Sequence, residues 1–457
     1  MSLLVSNLTP VPAPPVNTRY RRIVTAIPAP QSIEEILRLR HFEPQSMAGM
    51  PPILWDSAEG FLVRDPYGNQ WIDLSSGIVV ANVGHAHPDV LAAIRRQLDA
   101  KLIFSYAFST RARRQLLERL AGIAPKGMNQ AMLFSAGTEA NECALSLMRK
   151  HGLSIAPDKL GILSIESNYH GRTLSAKLAG GPPGLVEGIS RDRVYQWQLP
   201  LPGGPDSRGF DEDLAARKIR PEAIAGIILE CMPGWTTTLY PSGYMTRLMD
   251  WAARNRVLVT ADEIQSGIGR TGRMFAFEHY GIVPDLITCG KGLSSSLPLS
   301  AVMAREEIMN LAAPGEMSST FGGNPVCAAA ALACLDIVER QNLVERSLRL
   351  GNELGVALDR LVERHRSYVK THNGRGLFYS VHLQDPVSGA PLCEIADEIV
   401  MSCVRRGVLM FLTGRGFFKI VPPLTIDKDA LHEAVGVIGD AMDEHLNTGT
   451  LRQKDSK

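Results

Sequence analysis

Two short apolar runs in the middle of this chain each end in charged chemistry. The first, V-L-V-T-A-D-E-I-Q-S-G-I-G-R-T-G, starts at Val257 and delivers Asp262 and Gln265. The second, P-D-L-I-T-C-G-K-G-L, ends at Leu293 and sets Lys291 between two glycines. A carboxylate and a lysine at the ends of neighbouring buried strands are costly without partners, so the pair marks a site rather than core. Upstream, F-S-A-G-T-E-A-N-E-C-A-L-S-L-M-R-K turns from strand to helix through Gly137 and Thr138. Ala140, Cys143, Ala144, Leu147 and Met148 recur at helical spacing behind that turn. A helix start of this kind offers free N–H groups, a positive dipole end and a hydroxyl, which suit a phosphate. An ordinary helix with Thr138 as N-cap fits the same residues. In N-Y-H-G-R-T, Tyr169 could stack on a planar ring and Arg172 could grip a carboxylate, or the six residues are a surface loop. Glu230 ends a further apolar run, Ile224–Leu229.

These residues need a scaffold, and the pattern between residues 131 and 303 supplies one. Apolar runs at 131–134, 161–165, 224–229, 257–260, 286–289 and 299–303 alternate with helical segments such as 138–150 and 244–254. Strands without a polar face imply a mostly parallel sheet covered on both sides, and such sheets bind ligands at the carboxyl ends of their strands. The charged residues sit at those ends. G-F-L-V-R-D-P-Y-G-N-Q-W-I-D-L, from Gly60 to Leu74, reads as a hairpin. Ser32–Arg40 reads as a short helix capped by Ser32, and 88–100 as a longer one. Residues 324–366 are nearly all helical in pattern, and short strands (379–383, 416–421) and helices (393–406, 428–446) follow. The expected fold class is α/β, with a smaller α+β domain made from both chain ends. The expected limits are an N-terminal arm over 1–32, loosely ordered, small-domain residues 33–75, a large domain 76–320, connecting helices 321–366 and a C-terminal small domain 367–457. The last dozen residues are polar and expected to fray.

Composition narrows the function. A length of 457 residues calls for more than one core. A net charge of +1 gives no electrostatic case for nucleic acid or an anionic membrane. The longest apolar run, Val326–Leu335, falls short of a membrane span. Seven scattered cysteines without a C-x-x-C pair argue for reduced thiols, a cytoplasmic location and no zinc site. His85 and His87 lack a third ligand nearby and read as structural. Gly267–Gly272 matches G-x-G-x-x-G, but D-E-I-Q intervenes after the strand and no periodic helix follows, so a dinucleotide site is rejected. Asp285 and Gly292 exclude a P-loop around Lys291. What remains is a lysine, an aspartate, a phosphate cradle and an aromatic ring. That set suits pyridoxal phosphate: the lysine for a Schiff base with the aldehyde, the aspartate for the pyridine nitrogen.

The chain resembles the class III (ω-amino acid type) pyridoxal-phosphate aminotransferases of fold type I from about Pro52 to Ile426. The carriers, in order, are the hairpin followed by G-H-A-H-P, S-A-G-T-E-A-N-E, Y-H-G-R-T, A-D-E-I-Q-S-G-I-G-R-T-G, C-G-K-G-L, T-F-G-G-N-P and V-P-P-L-T-I. The resemblance implies an aspartate-aminotransferase-like fold and a ping-pong transfer from an amine or ω-amino acid to a 2-oxo acid. It makes Lys291 the Schiff-base lysine and proton shuttle, Asp262 the partner of the ring nitrogen and Gln265 that of the ring hydroxyl. Gly137 and Thr138 would hold the phosphate, and Tyr169 would stack on the ring. Thr320 would reach the neighbouring subunit's cofactor, which implies a homodimer or a dimer of dimers. Arg172 is similar to a substrate-carboxylate arginine, and Glu230 to a glutamate that neutralises a second arginine. Three departures stand out. Ala136 replaces a usual serine, E-C-M-P-G replaces E-P-V-x-G, and Lys419 occupies the place of an arginine for the α-carboxylate, with Arg415 four residues earlier. The same scaffold hosts racemases, decarboxylases and an aminomutase. A non-catalytic member would have lost Lys291 or Asp262, and both are present. Met50, Trp55, Ile78, Tyr106 and Trp235 are pocket walls or plain packing.

Overall fold

The computed structural model describes residues 7–181, 186–204 and 206–446. It divides into two compact units, one from Pro88 to Glu345 and one made of the chain before and after it.

In the larger unit, seven strands form one sheet: β1 (Gln130–Phe134), β2 (Gly161–Ile165), β3 (Gln196–Leu199), β4 (Ile224–Leu229), β5 (Leu258–Asp262), β6 (Leu286–Cys289) and β7 (Ser300–Ala304). Their order across the sheet is β1-β7-β6-β5-β4-β2-β3. All neighbours from β6 to β3 run parallel, and β7 alone is reversed, antiparallel to both β6 and β1. Every residue of β2, β4, β5, β6 and β7 is buried, which is why these segments lack the alternation of a half-exposed strand. β3 escapes the sequence reading because Q-W-Q-L looks like a polar loop; its two glutamines are buried as well.

Helices cover the sheet. Helices α1 (Pro88–Asp99) and α2 (Arg111–Ile123) precede it, and α3 (Gly137–Leu153) lies across β4, β6 and β7. The expected apolar stripe of α3 is buried, and so is Asn141 within it. The helix starts at Gly137 with Ala136 as N-cap, so Thr138 is not the cap; the Glu139 carboxylate accepts the N–H groups of Ser135 and Ala136 instead. Helix α2 was masked by its charged opening R-A-R-R; Thr110 caps it by accepting from the Arg113 N–H at 3.3 Å. Further helices include α4 (Leu174–Ala179), α5 (Tyr244–Arg254) and α6 (Pro325–Arg340). Asn324 caps α6 and Pro325 opens it; α6 then packs on α1 and α2. That packing keeps residues up to 345 with the larger unit rather than ending it at 320.

The smaller unit interleaves the two chain ends. The hairpin Leu62–Arg64 and Gln70–Asp73 forms as expected, and Val408–Leu409 adds in parallel to Ile72–Asp73. Trp71 is fully buried and donates its indole N–H to the Val404 carbonyl at 2.8 Å. Residues 76–87 belong here: the Ser76 hydroxyl donates to the Val421 carbonyl at 2.6 Å. The loosely ordered arm expected over 1–32 is instead tied down from Val11 onward. Val16–Asn17 pairs with Arg22–Ile23, and Val11 bridges Ile27. Arg21 and Thr18 both reach the Glu433 carboxylate, at 2.5 and 2.7 Å. The helix expected at Ser32 runs over Ile33–Phe42, but the Ser32 hydroxyl donates to the Ala29 carbonyl and caps nothing. A three-stranded antiparallel sheet (Val369–Arg375, Phe378–Leu383, Phe417–Ile420), most of the helix Leu343–Arg364 and the helices Cys393–Arg405 and Lys428–Leu446 also belong to the unit. The polar tail expected to fray lies beyond Leu446, outside the described residues. No helix among the described residues is long and apolar enough to cross a membrane.

Trp71 tests this interleaving. Trp71→Ala removes the indole from a fully enclosed place and strands the Val404 carbonyl. The expected cost is about 3–5 kcal/mol, read as a lowered urea midpoint by tryptophan-independent circular dichroism.

Candidate active site

The parallel strands bring their carboxyl ends to one edge of the sheet, and the chemistry collects there. Asp262 is the last residue of β5 and is 1% exposed. Its Oδ2 accepts from Asn141 Nδ2 and from His170 Nδ1, each at 2.7 Å, and its Oδ1 accepts from the Ile264 N–H at 3.1 Å. Asn141 has both amide hydrogens in use: it also donates to the His170 carbonyl at 2.6 Å, and its Oδ1 accepts from Thr288 Oγ1 at 2.8 Å. The carboxylate partner fixes the proton of His170 on Nδ1, and His170 Nε2 is buried without a hydrogen bond. Three donors on a carboxylate with about four lone-pair positions leave one place for a further N–H.

Lys291 follows β6 and opens a single 3-10 turn, Lys291–Leu293. Its φ of +41° is a left-handed conformation that side chains rarely adopt, so the fold holds the residue under strain. Burial pushes its ammonium below the usual lysine range, while the charges of Asp262 and Glu230 oppose the shift. The amine is thereby biased toward its nucleophilic, proton-accepting form.

A second buried carboxylate, Glu230, sits just past β4. It accepts from the Tyr169 N–H at 2.7 Å, the Gly234 N–H at 3.1 Å and Gln265 Nε2 at 2.8 Å. Burial first, and then the charge of Asp262, push its carboxyl up to about 7. Glu230 is 1% exposed, and its oxygens brace the Tyr169 amide and the Gln265 side chain. Asn168 locks the arrangement by accepting from the Glu230 N–H at 2.7 Å. The Tyr169 ring is half-buried and meets Trp235 edge-on, with centroids 6.1 Å apart. Among the aromatic and apolar wall candidates, Trp235 contacts a site residue.

The Gly137–Thr138 turn faces this cluster. A Cβ at Gly137 would lie 2.9 Å from Ile264 Cδ1, so the turn packs closely against the β5 loop. Arg172 is exposed on the loop after Tyr169, and Thr320 is exposed just before α6. Arg415 and Lys419 belong to the other unit. Arg415 is exposed, whereas Lys419 is buried with its ammonium 5.6 and 5.5 Å from the rings of Phe378 and Phe411. The glycine-rich stretch 267–272 is a series of turns, with positive φ at Ile268, Gly269 and Gly272, leading to a 3-10 turn at Ala276–Tyr280. Glu263 holds it shut by accepting from Ser266 Oγ and the N–H groups of Ala276 and Phe277 at 2.7, 2.9 and 2.9 Å. Of the paired histidines, His85 contacts Asp73 Oδ2 through Nε2 at 2.7 Å.

Asn141 and His170 were not singled out from the sequence. Asn141 carried a usable signal, a polar residue on the buried face of an otherwise apolar helix stripe. His170 carried none beyond its place beside Tyr169.

Comparison with known proteins places this geometry. The model of the class III aminotransferases matches residues 45–442, and the chain belongs to that family. It is 31% identical over 441 residues to the 4-aminobutyrate aminotransferase of Mycobacterium leprae, covering 92% of this chain and 97% of that one. It is 35% identical over 388 residues to ornithine aminotransferase 1 of Staphylococcus aureus, covering 84% and 92% respectively. A solved structure of the ornithine aminotransferase from Toxoplasma gondii, with partial occupancy of PLP at its active site, superposes with a TM-score of 0.79 at 26% identity, over 90% of this chain and 94% of that one. The fold is thus that of the fold type I transaminases, and the protein is a pyridoxal 5'-phosphate-dependent aminotransferase. The residues fit the cofactor: one open acceptor position on the buried Asp262 suits a protonated ring nitrogen, and the Lys291 amine is depressed by burial.

The opposition between Asp262 and burial at Lys291 is measurable. In the cofactor-free protein, Asp262→Asn removes the larger charge holding the ammonium protonated, so the Lys291 pKa falls further. Its labelling by an amine-reactive reagent, followed by peptide mass spectrometry across pH 6–10 (about the ordinary working range), is expected to shift to lower pH. A shift to higher pH would contradict the assigned electrostatics.

Proposed function

We propose that this aminotransferase moves an amino group from a primary amine or ω-amino acid, γ-aminobutyrate-like in size, to 2-oxoglutarate or pyruvate in two alternating half-reactions. The observation that carries the reading is the clamp on Asp262 by Asn141 and His170, together with the depressed Lys291 amine. When bound, the cofactor supplies an aldehyde for an amine to condense with and a ring that takes up electrons. Lys291 Nζ would anchor it and, once freed, would move a proton between the donor carbon and the aldehyde carbon. Asp262 keeps the ring nitrogen protonated, and Gln265, braced by Glu230, serves the ring hydroxyl. Tyr169 covers one ring face, while Gly137 and Thr138 hold the phosphate.

On the substrate side, Arg172 is the exposed cation nearest in sequence to Tyr169 and takes a carboxylate. Arg415 is a second candidate; burial of Lys419 favours Arg415 over it. With Glu230 occupied, a carboxylate-free amine finds no free glutamate to neutralise a spare arginine. This favours donors that carry a carboxylate of their own.

We assign the working form as a homodimer in which Thr320 reaches the neighbouring cofactor. The support is an apolar face of the larger unit: Ile103, Phe108 and Phe321 are 59%, 79% and 64% exposed, and the rings of Phe104 and Phe321 lie 5.6 Å apart. A soluble monomer rarely leaves so much apolar surface together. Seven unpaired cysteines support a cytoplasmic setting.

Visible absorbance of the loaded protein tests the reaction. It is expected to bleach with a donor amine and recover with a 2-oxo acid, and Lys291→Ala is expected to abolish turnover while cofactor still binds non-covalently. Product formed without any oxo acid would instead favour racemisation, decarboxylation or mutase chemistry. For the dimer, Phe108→Asp is expected to halve the sedimenting mass; an unchanged mass would place the interface elsewhere.

A further inference from the structure

We infer that Thr173 is a positioning residue that holds the Thr138 hydroxyl, and that Thr138 must release it to bind a phosphate. The inference rests on the reading of Gly137–Thr138 as the phosphate turn.

Thr173 occupies the N-cap position of α4, where a hydroxyl ordinarily accepts from the third N–H of the helix. Here that N–H, of Ala176, goes instead to Glu142 Oε1 on α3, at 3.0 Å. The glutamate of one helix thus caps another, and the Thr173 hydroxyl is left without its usual task. It donates its hydrogen to the same Glu142 oxygen at 2.5 Å.

The direction of the next bond follows by counting hydrogens. Thr173 Oγ1 and Thr138 Oγ1 are 2.6 Å apart, close enough for a strong hydrogen bond. A hydroxyl owns one hydrogen, and that of Thr173 is committed to Glu142. Thr138 is therefore the donor, and its hydrogen points at Thr173. The Thr173 N–H lies 3.4 Å from Thr138 Oγ1 on the return side. Gly171, at φ +140°, presses the loop against this hydroxyl so closely that a Cβ there would sit 2.2 Å from Thr138 Oγ1.

A phosphate oxygen can only accept. The Thr138 hydrogen cannot serve both Thr173 and a phosphate, so loading exchanges one bond for the other. The loop that loses the bond also bears Tyr169 and Arg172. Occupancy of the phosphate turn is thereby transmitted to the residues assigned to the ring face and the substrate carboxylate.

The experiment compares the dissociation constants of pyridoxal phosphate and of phosphate-free pyridoxal for the full chain, stripped of cofactor and titrated back by tryptophan fluorescence. The ratio of the two isolates the phosphate. Thr173→Val, and Thr173→Ala should valine crowd the loop, are expected to enlarge the phosphate's advantage by about three- to tenfold, the worth of one competing neutral hydrogen bond. Thr173→Ser keeps the hydroxyl and is expected to match the unaltered chain. An unchanged or reduced advantage in the valine and alanine variants overturns the inference. Thr138→Val separates the two layers. If it leaves the ratio untouched, the phosphate-turn reading itself fails; if it lowers the ratio while the Thr173 variants do nothing, only the role of Thr173 fails.

Discussion

The structure depends on one buried carboxylate. Asp262 is enclosed, and an ionised group there is tolerated only because donors from three parts of the chain converge on it. Asn141 comes from α3, His170 from the loop after β2, and the Ile264 amide from the turn after β5 itself. Thr288 on β6 secures Asn141 in turn. One functional group therefore joins a covering helix, two strands and a loop. The same donors that make its burial bearable also fix the direction of its remaining acceptor position. Stability and function draw on a single set of hydrogen bonds, so a change to one acts on the other.

Two more buried carboxylates follow the same logic at different work. Glu230 gathers the Tyr169 and Gly234 amides and the Gln265 side chain, and Glu263 gathers Ser266 with two amides of the following turn. Burial raises both carboxyls to about 7. Neither is solvent-facing chemistry; each is a knot that holds loops whose glycines leave them little side-chain packing of their own. The left-handed turn at Lys291 is affordable in this setting, because the strand before it is fully buried and cannot relax to relieve it.

Much of this was legible from the residues. Buried parallel strands announced themselves as uninterrupted apolar runs, and α3 as an apolar stripe, so the sheet and the strand-end positions of Asp262, Glu230 and Lys291 followed from pattern. Those residues themselves suggested pyridoxal phosphate, and the family motifs added the individual roles. What pattern could not supply were partners distant in sequence. Nothing adjacent to Glu230 tells that Gln265 and the Tyr169 amide will contact it. Nothing near Lys419 tells that two aromatic rings will enclose it. The N-terminal arm misled because proline-rich, acid-free sequence usually stays loose, whereas here Glu433, from the far end of the chain, fastens it. Helix α2 and strand β3 were hidden because charge and glutamine dominate their composition while burial is decided by neighbours.

The way the smaller unit is stitched has a consequence for biosynthesis. Its first strands wait for Val408–Leu409 to complete their edge, and Trp71 waits for Val404. Everything from Pro88 to Glu345 must leave the ribosome in between. At about 5–20 residues per second the wait is tens of seconds. Throughout it, Trp71, Ile72 and Leu74, all fully buried in the finished protein, have no core to enter. The larger unit is contiguous and can fold as it emerges. The amino-terminal segment is therefore the part of this unit that waits longest for its partners and has most need of a chaperone.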